Sequence, residues 1–183
     1  KYLLSKYDPV REASRLIESL DDTDTNNFIV VGMGLGYQII ELIKSTSENS
    51  KIVVIENDRH LARLAFETND LKKILTHTGL TLIFPDKRED AIAGLEEEKI
   101  NFSLNGYRLI RQNALSEVHS KRTSELLAGI KELFQASTIE IKTQSAKSKT
   151  FYNNIYRNYS NLLSSTGITN LKDSFSNIPV IIC

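Results

Sequence analysis

The sequence predicts a Rossmann-like three-layer α/β domain with a mostly parallel sheet, followed by a long C-terminal helical connector. Three observations support this prediction. Strand-like and helical segments alternate three times along the first half of the chain. The first strand runs into a turn that contains three glycines, and the second strand ends in an acidic residue. Strands and helices that alternate in this way form parallel sheets with right-handed crossovers.

The composition describes an ordinary globular protein and excludes several classes. The chain has 183 residues, of which 40% are hydrophobic, and its 23 basic residues balance its 23 acidic ones. A balanced charge creates no global field toward nucleic acid or an anionic membrane, so neither is an expected partner. No apolar run approaches the ~20 residues that a membrane helix needs. The single cysteine, Cys183, excludes an internal disulfide and fits the cytoplasm, which is the expected location.

The first element is a short amphipathic helix. Asp8 is suited to the N-cap, and Pro9 to the first helical position, where its missing N–H costs nothing. The acidic run of residues 21–26 then lacks the glycine and the distal glutamate of a calcium loop, so it indicates a solvated linker. The apolar residues that share one face of the helix are Ala13, Leu16, Ile17 and Leu20.

A glycine turn follows the first strand, Phe28–Val31. Gly32, Gly34 and Gly36 permit positive φ and bring backbone N–H groups close to a ligand, at the positive end of the next helix. Tyr37 stands where the dinucleotide fingerprint has its third glycine, so that fingerprint is not matched. The pattern Gly-x-Gly-x-Gly looks more like the first motif of methyltransferases that use S-adenosylmethionine.

An acidic residue ends the second strand, Lys51–Ile55. Glu56 lies twenty residues after Gly36, and an acid at this place binds the ribose hydroxyls in nucleotide-binding βαβ units. The candidate cofactor-binding residues are therefore Gly32, Gly34, Gly36 and Glu56. The ligand stays open among a nucleotide, a sugar nucleotide and S-adenosylmethionine. An alternative is that the glycines only make a tight turn and Glu56 caps the next helix.

Further strands and helices complete the first half. Asn57 is predicted to cap a helix, residues 70–75 form a short helical piece, and Leu80–Phe84 is the third strand. Asp86 with Glu89 has the spacing of a capping box. The three histidines have no metal-ligand spacing, so no metal site is predicted. Residues expected to face the sheet are Ile39, Ile40 and Ile43 in the helix after the glycine turn, and Leu61, Leu64 and Ala65 in the next.

The pattern changes after residue 99. Ile100, Phe102 and Leu104 alternate with polar residues as in a half-buried strand, and Asn105-Gly106 then precedes the strand-like residues 107–110. Asn-Gly between two strands is a hairpin signal. An antiparallel edge is therefore expected here.

The rest of the chain is predicted to be helical. One helix is expected over residues 114–134, and Ser137 with Glu140 can start another. Side chains spaced three or four residues apart form a stripe along this helix, and only its second half is apolar. This pattern favours a helix that packs against another domain over a free coiled coil. The members of the stripe are Ile141, Ser145, Ser148, Tyr152, Ile155, Tyr159 and Leu162. The interleaved basic and aromatic residues of this helix favour a solvated face. The predicted boundaries are 1–135 for the domain, 136–176 for the connector and 177–183 for the first strand of a truncated following domain.

Three segments together carry a family resemblance. Residues 5–13 (SKYDPVREA), 31–37 (VGMGLGY) and 54–58 (VIEND) resemble the N-terminal domain of the motility-associated factor proteins. These are bacterial glycosyltransferases that attach nonulosonic acids to serine or threonine of flagellin. The resemblance implies an accessory domain that precedes a larger catalytic domain, 6-hydroxymethylpterin pyrophosphokinase-like in fold, with flagellin as the partner of the parent protein. It assigns no catalytic residue to this chain.

Two alternatives to this interpretation remain, a methyltransferase-like domain that uses S-adenosylmethionine and a purely structural interaction domain. The resemblance and the proline-opened apolar run Val180–Cys183 both predict that the parent protein continues past Cys183. About ten further residues, with at least two glycines, are expected to form a second strand-turn-helix.

Overall fold

The computed structural model describes residues 8–20, 25–111, 120–165 and 167. The chain divides into two compact units, Lys1–Ile139 and Glu140–Cys183. The helices are α1 Pro9–Glu18, α2 Tyr37–Ser45, α3 Arg59–Thr68, α4 Lys72–Leu75, α5 Arg88–Gly94, α6 Lys99–Asn105 and α7 Ser120–Ser164, with a 3₁₀ turn at Glu96–Glu98. The strands are β1 Asn27–Val31, β2 Lys51–Ile55, β3 Leu80–Ile83 and β4 Arg108–Arg111.

The four strands form one parallel sheet in the order β3-β2-β1-β4. The first strand is central: Val30 pairs with Val54 of β2 on one side and with Ile110 of β4 on the other. The order places consecutive strands side by side up to β3 and then returns to the far side of β1. This arrangement confirms the predicted Rossmann-like α/β fold with its parallel sheet.

Both faces of the sheet are covered, which explains why β1 and β2 are apolar at nearly every position. Side chains alternate between faces along a strand. Phe28 and Val30 therefore contribute to one core, together with residues of α1, α2 and α4. Ile29 and Val31 contribute to a second core with α5, α6 and the first part of α7, whose buried members include Phe102, Leu126, Ile130 and Phe134.

The predicted antiparallel edge is wrong. Residues 99–105 form α6, and the strand that follows pairs with β1 in parallel. Only Phe102 of the alternating set is buried, while Ile100 and Leu104 are 60% and 62% exposed. Gly106, with φ 74°, ends α6 instead of turning a hairpin. Three alternating apolar residues are too few to separate a strand from two turns of helix in which one side chain reaches the core.

Of three N-caps predicted from the sequence, one is confirmed, and in the other two the N-cap is the next residue along the chain. Asp8 caps α1 by accepting from the Arg11 N–H at 2.8 Å, as predicted. The cap of α3 is Asp58 and not Asn57, because the Asp58 Oδ1 accepts from the N–H groups of His60 and Leu61. For α5 the predicted Asp86–Glu89 box is wrong by one residue, because Lys87 is the N-cap and its N–H donates to Asp90.

The buried faces of α2 and α3 also differ in part from the predicted ones. In α2 the fully buried apolar residues are Ile39 and Leu42, with Ile40 and Ile43 half-buried beside them. In α3 the small Ala62 lies against the core where Leu64 was expected, and Leu64 is 46% exposed. Leu61 and Ala65 are buried as predicted.

The last helix, α7, runs through Ser137 without a new start, so the predicted capping box there is wrong. Ser137 is 2% exposed within the helix. No glycine or proline follows until after the helix ends, and a serine alone does not stop a helix whose neighbours pack on a core. Residues 114–119 and the predicted terminal strand, 177–183, lie outside the described residues.

Candidate functional site

The glycine turn lies at the carboxyl end of β1 and connects it to α2. Gly32, Gly34 and Gly36 all have positive φ, at 89°, 56° and 87°. Residues with a Cβ avoid this region, so the turn in this form depends on glycine. Parallel α/β sheets bind ligands outside the carboxyl ends of their strands, and the turn therefore stands where a ligand is expected.

Glu56, at the end of β2, is directed into this turn. Its Oε2 accepts hydrogen bonds from the Met33 N–H at 2.7 Å and the Gly34 N–H at 3.3 Å, and its Oε1 accepts from the Asp58 N–H at 2.8 Å. The side chain is 3% exposed. A carboxylate offers about four acceptor sites, so about one remains for a ligand hydroxyl. Glu56 thus already stabilises the turn before any ligand binds.

Burial raises the pKa of the Glu56 carboxyl above its ordinary value. Loss of water around the charge has the largest effect, and the nearby Asp58 charge acts in the same direction. The three backbone N–H donors oppose this shift because they stabilise the ionised form. Burial therefore outweighs the three N–H donors in the direction of the pKa shift of Glu56.

Gly36 has a packing role. It is the N-cap residue of α2, and a Cβ at this position would meet the Leu71 Cδ2 at 3.0 Å. Its absence of a side chain lets α2 approach the segment that leads into α4. Beside it, the buried Gln38 donates from Nε2 to the Gly32 carbonyl oxygen at 2.7 Å and fixes the first glycine of the turn.

A cavity of about 400 Å³ opens at this edge of the sheet, large enough for a nucleoside-sized ligand. Gly32 and Glu56 form part of its wall, and Arg122 and Thr123 of α7 form another part. The other lining residues lie at or just after the ends of β1, β2 and β3, and they are Val31, Asn57, Asp58, Arg59, His60, Pro85 and Asp86.

Opposite charges meet on the outer wall of the cavity. Arg59 Nη2 lies 3.0 Å from Asp86 Oδ2, and Arg122 Nη2 donates to the Asp86 carbonyl oxygen at 2.6 Å. The Arg59 and Asp86 side chains are 63% and 70% exposed, so their ion pair is exchangeable with solvent or with a ligand. Both guanidinium groups can therefore meet an anionic group that enters the cavity.

The structure brings two of the four candidate residues to the cavity wall. Gly32 and Glu56 line it, Gly34 lies beside Glu56 through its N–H, and Gly36 packs against Leu71. Sequence reasoning missed the remaining wall. Asp86 could have been found, because it follows β3 and the carboxyl ends of parallel strands meet at one edge. Arg122 could not, since nothing local in α7 indicates where that helix packs.

Among residues 8–20, 25–111 and 120–165, no three His, Cys, Asp or Glu side chains come together as metal ligands would. Over the same ranges, no helix combines the length and hydrophobicity needed to cross a bilayer.

Fold and site together define an α/β domain of the Rossmann-like class with a glycine turn and a buried acid at its carboxyl edge. No protein-family model matches the chain, and no curated protein matches it. Among solved structures, it is similar to one described as a "putative O-methyltransferase from Klebsiella pneumoniae", with 20% identity and a TM-score of 0.39. The match covers 51% of this chain and 41% of that one. No function is taken from this likeness.

Proposed function

We propose that the chain is a nucleoside-binding module whose ligand occupies the cavity beside Glu56, with S-adenosylmethionine as the first ligand to test. The position of Glu56 carries the proposal. Its carboxylate stands at the end of β2, holds the glycine turn and faces the cavity with about one acceptor site left. A ribose hydroxyl is the group that an acid at this place accepts in nucleotide-binding βαβ units.

Calorimetric titration of the chain tests this proposal. Wild-type protein is expected to bind S-adenosylmethionine, and Glu56→Gln is expected to weaken binding at least about tenfold, since an amide replaces a charged acceptor. Glu48→Gln is the matched control, because it makes the same chemical change at an exposed position that lines a different pocket. Circular dichroism must show that both variants are folded.

No binding at millimolar concentration, for S-adenosylmethionine and for nucleotides alike, would contradict a nucleoside site. Binding that is equal in wild type and Glu56→Gln would also contradict it. The glycine turn would then have the structural role that its hydrogen bonds to Glu56 already describe.

A second candidate is the accessory module of a protein glycosyltransferase, with a sugar nucleotide as its ligand. The resemblance to the motility-associated factor family motivates it, and Arg59 and Arg122 on the cavity wall support it, because guanidinium groups suit phosphates. The described part of the resembling first segment starts α1: Asp8 caps the helix and Ala13 is buried. These structural roles are compatible with either candidate.

Two measurements separate the candidates. A sugar nucleotide that binds more tightly than S-adenosylmethionine, with the affinity reduced in Arg122→Gln, favours the glycosyltransferase module. In the source organism, deletion of the gene should then remove the mass of a nonulosonic acid from intact flagellin. Unchanged flagellin mass would contradict this second candidate and leave the nucleoside site to be judged by titration alone.

A further inference from the structure

The second unit exposes an unusually large apolar surface on α7. Seven large apolar side chains within residues 151–163 are between 54% and 78% exposed. We call this surface the α7 apolar face, and its members are Phe151, Tyr152, Ile155, Tyr156, Tyr159, Leu162 and Leu163. At these exposed fractions, and with roughly 200 Å² for each side chain, the seven together expose on the order of 900 Å². Monomeric proteins rarely expose contiguous apolar patches of this size.

Four members of the face have the spacing of a coiled-coil seam. Tyr152, Ile155, Tyr159 and Leu162 follow each other at intervals of three, four and three, which are the a and d positions of two heptads. Phe151, Tyr156 and Leu163 then fall on the flanking e and g positions, where charged residues are common in coiled coils. Arg157, the single basic residue within residues 151–163, falls on the outer f position.

This pattern is complementary to itself when two copies run in opposite directions. An antiparallel pair centred on position 157 places Tyr152 opposite Leu162 of the second copy and Ile155 opposite its Tyr159. An aromatic and an aliphatic side chain then meet in every layer.

The lysines that precede the α7 apolar face also favour antiparallel pairing. Residues 140–149 carry Lys142, Lys147 and Lys149 against Glu140, whereas residues 151–163 carry only Arg157. In a parallel pair the lysines of both copies would lie side by side. In the antiparallel pair Lys149 lies about 24 Å from its counterpart along the axis, at 1.5 Å per residue, which is beyond the screening length of about 8 Å at physiological salt.

We propose that the α7 apolar face is a homodimer interface in which two copies of this chain form an antiparallel helix pair over residues 151–163. If pairing covers half of the exposed area, the two copies bury roughly 900 Å² together, which is below the roughly 1,200 Å² of a stable interface and in the range of weak, transient ones. The dimer is therefore reversible and dependent on concentration. This inference is independent of the nucleoside site.

Sedimentation of the full chain over a concentration series tests the interface. We expect a shift from 20.7 kDa toward twice that mass between about 1 and 200 µM, with helix content rising in parallel because pairing stabilises an otherwise exposed helix. Ile155→Ser with Leu162→Ser should abolish the shift. Leu104→Ser is the control, since Leu104 is equally exposed, at 62%, on another helix.

The direction of pairing is tested by a spin label at Lys149→Cys in a Cys183→Ser background. The antiparallel dimer predicts an inter-label distance above about 20 Å, whereas a parallel pair predicts a distance near the helix spacing of about 10 Å. A chain that stays monomeric at 200 µM overturns the proposal. So does a dimer that survives the double substitution, or a short distance between labels.

Discussion

Glu56 determines the local chemistry at the scale of single residues. Its buried carboxylate accepts hydrogen bonds from the backbone N–H groups of Met33, Gly34 and Asp58. It therefore connects the glycine turn after β1 to the start of α3. The same side chain is the candidate acceptor for a ligand. Stability and binding are thus linked at this residue, and each of its substitutions must be tested for both.

Glu56→Gln is expected to lower the free energy of unfolding by about 1–3 kcal/mol near pH 5. The glutamine side chain has one acceptor oxygen and one NH₂ group. Its NH₂ group must face at least one of the three backbone N–H groups, and that N–H is then buried without an acceptor. Urea denaturation measures the change. Glu97→Gln, at an exposed position of the 3₁₀ turn, should change the value by less than about 0.5 kcal/mol. Equal effects of the two substitutions would contradict the buried role of Glu56.

The raised pKa of Glu56 predicts how this difference depends on pH. Folded Glu56 keeps its proton to a higher pH than unfolded Glu56, so the folded state binds more protons between the two pKa values. Its contribution to stability is fully present below the unfolded pKa of about 4.3 and is lost as the pH rises through the folded pKa.

The stability difference between wild type and Glu56→Gln should therefore narrow as the pH rises from about 4 to about 8. Urea titrations of both proteins across this range give the difference, in which the other carboxylates cancel. A difference that widens with pH would mean that the three N–H donors outweigh burial and that the pKa is lowered.

At the scale of elements, the buried strands β1 and β2 were predictable, whereas the helix over residues 99–105 and the ends of several other helices were not. β1 and β2 are buried on both faces, which leaves a continuous apolar run in the sequence. Caps depend on a single residue, and Asn57 and Asp58 are both good cap residues beside each other. Only the path of the chain after Glu56 decides that Asp58 accepts from the first turn of α3.

Asp58→Ala is expected to cost about 1 kcal/mol of stability, because two N–H groups at the start of α3 lose their acceptor. Asn57→Ala should cost less than half as much, since the structure gives its side chain no cap role. Thermal unfolding of the two variants checks the pair. A larger loss for Asn57→Ala would restore the cap predicted from the sequence.

Residues 100–104 provide the second test at this scale. Phe102 is 1% exposed and stacks against Tyr107 and Phe134, so Phe102→Ala should cost about 3–5 kcal/mol. Ile100→Ala should change stability by less than about 0.5 kcal/mol, because Ile100 faces solvent in α6. Chemical denaturation distinguishes them. Similar large losses at both positions would indicate the half-buried strand that the alternation predicted.

At the scale of the whole molecule, the sequence predicted the parallel sheet and two of the eleven residues that line the cavity, Gly32 and Glu56. Gly32 and Glu56 were found because their motif is local to one βαβ unit. The part of the wall from α7 depends on long-range packing: Arg122 reaches the cavity because the first part of α7 covers the core formed with Ile29 and Val31. No periodicity within α7 reveals which strand it covers.

The central claim is that a nucleoside-bearing ligand binds beside Glu56, and amide chemical shifts test it most directly. In a titration of labelled protein with S-adenosylmethionine, and then with a sugar nucleotide, the Met33, Gly34 and Asp58 amides should shift, because all three donate to the carboxylate that the ligand contacts. The amide chemical shifts of Thr76, His77 and Thr78, which line the separate pocket that contains Glu48, should stay unchanged. Shifts confined to that pocket, or none with either ligand at millimolar concentration, would contradict the claim.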